Sequence, residues 1–108
     1  MGKNVLGEFE HQVLLAILRL GSESYSVPIV LELEERTMRE VAPAKVYIAL
    51  RRLEEKGMLN SRMSNGEPEG SRTRRYFALT PEGVAMLRES RQTLVRLWEG
   101  ITPVLDEA

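Results

Sequence analysis

The chain has 108 residues, enough for one modest core but not two, with 43% apolar and 29% charged side chains and a net charge of −1. The lack of cysteine excludes disulfides and thiolate metal sites, and with His11 as the single histidine no metal or cofactor is expected; the compartment that fits is a reducing cytoplasm. The longest apolar run, Val13 to Leu18, is far too short to span a bilayer and no signal-like segment is read at the start, so no membrane partner is expected.

A first helix is predicted from Glu8 to Leu20, stopped by Gly21. On a helical wheel Phe9, Val13, Leu14, Ala16, Ile17, Leu18 and Leu20 cover about half the circumference. A face that wide implies two partners, the helix's own core and something outside it. The second helix is expected to take Ser26 as its cap and Pro28 in its first turn, to point Ile29, Val30 and Leu33 inward, and to end near Thr37. After the short link Met38 to Ala42, a third helix opens on Pro43 and ends at Gly57. Val46, Ala49, Leu50 and Leu53 form its inner stripe, and Ala44, Lys45, Ile48, Arg51 and Arg52 lie opposite.

Two strands follow, Leu59 to Met63 and Thr73 to Leu79, with Phe77 and Leu79 on the core side. The segment between them, Ser64 to Ser71, is turn chemistry throughout. Thr80 and Pro81 then cap and open a final helix with Val84, Leu87, Leu94, Val95 and Trp98 on one stripe, and Gly100 and Pro103 end or bend it. The fold class is α+β, mainly α: a winged helix-turn-helix over residues 1–80 and a C-terminal dimerisation helix over 81–108.

Charge is distributed unevenly along these elements. Residues 1–42 hold four basic and seven acidic side chains, residues 43–75 eight and four, and residues 76–108 three and five. The positive excess therefore falls on the third helix and the hairpin, and local charge is what a phosphate backbone senses. A helix of this kind fits the major groove of B-DNA. Lys45, Ile48 and Arg51, with Ala44 close by, are assigned to the groove, and Tyr47 and Arg52 to its phosphate flanks. Arg62, Arg72, Arg74 and Arg75 flank the wing, whose tip carries Glu67 and Glu69 and so contributes through its sides. The competing interpretation pairs Arg51 and Arg52 with Glu54 or Glu55 as surface ion pairs.

Phe9, Val13 and Ile17 of the first helix and Leu87, Leu94 and Trp98 of the last are expected at a homodimer interface. Trp98, with Phe9 and Val13, is the expected wall for a small-molecule effector. Catalysis is not expected: His11 reads as a surface residue, and no Ser/His/Asp set, glycine-rich phosphate loop or useful carboxylate pair is present.

Leu6 to Ala16, Tyr25 to Ile29, Val46 to Gly57 and Arg74 to Gly83 together resemble the PadR family of bacterial transcriptional regulators. The resemblance covers nearly the whole chain. It implies a homodimeric repressor with two winged heads, a C-terminal dimer helix, an inverted-repeat operator in double-stranded DNA, and Tyr47 facing that DNA. Two positions depart from the pattern. Ser26 stands where glycine is usual, and Ala42 where a capping serine is common, which weakens that cap by roughly 1 kcal/mol. The rival function from another class is a winged-helix module for protein–protein contact.

Overall fold

The computed structural model describes residues 5–64, 73–101 and Leu105. In chain order these form α1 (Glu8–Leu20), a 3-10 turn (Gly21–Glu23), α2 (Ser26–Thr37), α3 (Pro43–Glu55), β1 (Leu59–Met63), β2 (Arg75–Leu79) and α4 (Pro81–Trp98). Three helices pack around one core and the two strands pair as an antiparallel hairpin beside it. This is the mainly helical winged-helix arrangement read from the sequence.

The core draws on all four helices and both strands. Val13, Leu14 and Ile17 of α1 meet Ile29 and Leu33 of α2, Val46, Leu50 and Leu53 of α3, then Met58, Leu59, Phe77 and Leu87. Each fully buried aliphatic of this set stabilises the fold by about 1.5–3 kcal/mol relative to an exposed one. Along the hairpin the register pairs Leu59 with Leu79 and Ser61 with Phe77, so one face carries the apolar residues to the core. One step beyond the second pair, towards the turn, Arg62 opposes Tyr76 on the other face.

The joints are tied by specific polar groups. Glu34 accepts the Val41 N–H at 2.9 Å, which closes the link between α2 and α3. Met38, at φ 59°, turns the chain there in the left-handed region. At the other end of α3, Gly57 takes φ 80°, which a side chain would resist, and the strand departs at once. Thr80 then joins three elements. Its hydroxyl donates to the Gly57 carbonyl at 2.6 Å and accepts the Gly83 N–H at 3.0 Å, and its own N–H donates to the Met58 carbonyl. A Cβ on Gly83 would stand 2.2 Å from the Met58 oxygen, so only glycine permits α4 to start this close to the sheet.

Three sequence expectations are corrected. Helix α2 begins one residue early, with Tyr25 in extended backbone at the cap position and no side chain capping it. Ser26 is thus the first helical residue, and the Tyr25 ring is engaged elsewhere. Strand β2 starts at Arg75 and not at Thr73: the Arg74 carbonyl accepts the Ser64 N–H, but the Arg74 N–H donates to the Ser64 hydroxyl instead of to a backbone carbonyl. His11 is not a free surface residue: its Nδ1 lies 2.6 Å from the Ser90 hydroxyl and joins α1 to α4. Burial pushes the His11 pKa below its ordinary value. Among the described residues no helix is long and apolar enough to cross a membrane.

Candidate nucleic-acid interface

The same 3.6-residue periodicity that buries Val46, Ala49, Leu50 and Leu53 turns the other side of α3 to solvent. Ala44, Lys45, Arg51 and Arg52 are exposed, and Tyr47 and Ile48 keep 58% and 52% of their surface. All six sequence-assigned residues of this helix therefore share one open, basic face.

Their neighbours differ. The Lys45 ammonium sits over the Phe9 ring at 4.4 Å, so the start of α3 rests on α1. Arg51 lies 3.8 Å from Glu55 one turn along, as the competing interpretation expected, and 5.9 Å from the Tyr47 ring centre. Both partners of that ion pair are about two-thirds exposed, so it holds Arg51 by a fraction of about 1 kcal/mol. Behind this face Glu10 fastens α1 to α3. Burial would raise its pKa, but the Gly7 N–H at 3.0 Å and the Lys56 ammonium at 3.1 Å outweigh that and hold it below the usual carboxylate value.

On the hairpin, Arg62, Arg74 and Arg75 are all exposed, and Arg72, with Glu67 and Glu69, lies outside the described residues. Arg75 donates to the Ser61 hydroxyl at 2.8 Å, and Ser61 donates in turn to Glu54 of α3 at 2.6 Å. That relay fixes the wing against the end of the helix. Arg74 is stacked on Tyr25 at 4.3 Å and Arg62 on Tyr76 at 4.9 Å. Hydrogen bonding with the Tyr76 side chain, above other causes, pushes the Arg74 pKa above the usual arginine value. A cleft of about 450 Å³, lined by Tyr25, Val27, Tyr47, Thr73, Arg74 and Arg75 among others, separates the wing from α3. The tyrosine pair went unnoticed in the sequence because its members stand far apart there.

The residues assigned to an interface between copies divide. Val13 and Ile17 are 0% and 3% exposed and Leu87 is 7% exposed, so all three are spent on the head's own core and have no surface to offer. Phe9 is half-buried beneath Lys45. Leu94 and Trp98 do remain open, at 46% and 48%, and Val95, Leu97 and Ile101 around them are exposed too. On α1 the outward apolar residues are Leu15 and Leu18. A separate cleft of about 680 Å³ opens between the start of α1 and α4, lined by Leu6, His11, Met86, Ser90 and Leu94 among others, and Trp98 is not part of its wall. The expected effector pocket of Trp98, Phe9 and Val13 is thus not brought together within one head.

The family model described as the transcriptional regulator PadR-like family matches residues 14–89. The crystal structure of a PadR family regulator from Eggerthella lenta is similar at 30% identity over 89% of this chain and 82% of that one, with a TM-score of 0.69. One from Clostridium difficile is 27% identical over 92% and 96% of the two chains, with a TM-score of 0.70. The complex structure of hsRosR-S1 is also similar, at 27% identity over 94% and 91%, with a TM-score of 0.64. No curated protein matches. With more than two-thirds of its length inside the family model, the chain belongs to the PadR-like family of transcriptional regulators.

Proposed function

We propose that this chain is a homodimeric, sequence-specific repressor, with residues 1–80 as the DNA-reading head and 81–108 as the joining helix, working in the cytoplasm. The observation that carries the reading is the pair of exposed basic faces, on α3 and on the wing, that flank one cleft, set on a head whose final helix leaves Leu94, Val95, Leu97 and Trp98 uncovered. In the head, Lys45, Ile48 and Arg51 meet base edges, while Tyr47, Arg52, Arg62, Arg74 and Arg75 hold phosphates. A second copy covers the apolar half of α4 and sets two recognition helices one turn of DNA apart, about 34–36 Å. Occupancy of the site then excludes other proteins from the same grooves.

Selection of bound fragments from random duplex DNA tests this. An inverted repeat with half-site centres about 10 base pairs apart is the expected result. Bound fragments with no shared sequence would overturn sequence specificity, and retention of no duplex at all would leave the winged head as a protein-contact module.

Relief by a small molecule belongs to the same proposal. A guest at the joint between copies that binds the two head arrangements unequally shifts their balance and spoils the half-site spacing. Trp98 supplies the aromatic wall there, so such a guest changes Trp98 fluorescence and operator affinity together. A ligand response that persists in a dimeric Trp98→Leu variant places the effector site elsewhere.

A further inference from the structure

The base of the wing carries an alternating row of cations and rings: Arg74 on Tyr25, Tyr25 edge-to-face with Tyr76 at 5.4 Å, and Tyr76 under Arg62. We propose that Tyr25 and Tyr76 form a two-ring platform that presets Arg62 and Arg74 for phosphate, which makes both tyrosines positioning residues for DNA binding. The inference rests on the reading of the wing as a phosphate-gripping element.

The platform itself is firmly placed. Tyr25 follows Ser24, which is fully buried and donates to the Ile17 and Gly21 carbonyls at 3.0 and 2.8 Å. The Ser24 carbonyl accepts the Phe77 N–H at 2.9 Å, so the residue before Tyr25 and the residue after Tyr76 are stitched backbone to backbone. Tyr76 is held in β2 directly opposite Arg62. Both rings are half-buried, whereas both guanidinium groups belong to exposed residues.

That combination has a specific consequence. A guanidinium is planar and donates in its own plane, so a ring against one face immobilises the group without consuming its N–H donors; Arg74 also hydrogen-bonds the Tyr76 side chain and keeps its other donors for phosphate. An exposed arginine otherwise samples many rotamers, and freezing them on binding opposes affinity. The rings remove part of that cost before DNA arrives. Arg75 reaches a comparable state by another route, its hydrogen bond to Ser61.

The test is a double-mutant cycle on the full chain, with affinity read on duplex DNA and thermal unfolding followed for each variant. Tyr25→Leu is expected to weaken binding about three- to tenfold, while Tyr25→Phe, which keeps the ring face, stays within about twofold of the wild type. In an Arg74→Ala background the same Tyr25→Leu change is expected to alter affinity less than about twofold. Arg74→Lys, which keeps the charge but not the planar face, is fully exposed and tests the platform even if Tyr25→Leu does not fold; it should lose about as much as Tyr25→Leu. Equal losses from Tyr25→Leu in both backgrounds, a Phe variant as weak as the Leu variant, or full affinity in Arg74→Lys would each overturn the platform. An Arg74→Ala variant that binds duplex as tightly as the wild type points to a different failure, that of the wing as a DNA contact.

Discussion

Replacing Arg51 with alanine is expected to lower affinity for the selected operator by about 1–3 kcal/mol and to relax preference at one base position in each half-site. The reason lies in where α3 puts it. Arg51 projects from the face opposite Val46, Leu50 and Leu53, beside exposed Ile48, and its pairing with Glu55 across 3.8 Å is weak enough to be exchanged for guanine O6 and N7. The wing arginines provide the contrast. Arg74→Ala and Arg75→Ala should weaken all sequences alike and reduce the salt slope by about one each per head, because phosphates carry no base identity. Binding assays on the operator and on single-base variants separate the two behaviours. If Arg51→Ala leaves affinity and preference unchanged, α3 is not the reading helix.

Removing residues 91–108 should give a folded monomer whose operator affinity falls by about two to four orders of magnitude, since the second head no longer binds as part of the same molecule. The cut is placed after Ser90 because the first half of α4 is part of the head: Gly83 abuts Met58, Leu87 is buried, and Ser90 meets His11. Beyond it, residues 91–101 are all exposed, with Leu94, Val95, Leu97, Trp98 and Ile101 among them. That much open apolar surface on one projecting helix calls for a partner. Sedimentation together with circular dichroism reads the outcome. A truncated chain that still sediments as a dimer removes this helix from the assembly.

Sequence pattern carried the local architecture well, and physical reasons explain where it stopped. Inner and outer faces of α3 followed from one amphipathic repeat, because both faces are set by the same 100° step. The hairpin followed from turn residues and strand alternation, and α4 from the Thr80 cap and Pro81. On α1, by contrast, the apolar residues span half the circumference, and the wheel alone does not say which half the head consumes. Packing against α2 and α3 takes Val13 and Ile17 and leaves Leu15 and Leu18 outside. Leu87 was misplaced for a related reason: a stripe along α4 looks continuous, yet the head covers its first turns and not its last. Contacts between distant residues were the least legible. Tyr25 with Tyr76, His11 with Ser90, and the relay from Arg75 through Ser61 to Glu54 depend on the tertiary arrangement, and the Arg62–Tyr76 pairing depends on a hairpin register that two strand ranges alone do not fix.

The central claim is that α3 and the wing grip the phosphate backbone of duplex DNA while α3 reads its bases. It is tested most directly by measuring affinity for the selected inverted repeat as salt is raised from about 50 to 200 mM. Arg52, Arg62, Arg74 and Arg75 from two heads supply at least about six phosphate contacts, so log affinity should fall linearly with log salt and lose about a thousandfold or more across that range. An affinity that stays constant over the series, or a wild-type chain that binds no duplex at its lowest salt, would contradict the account.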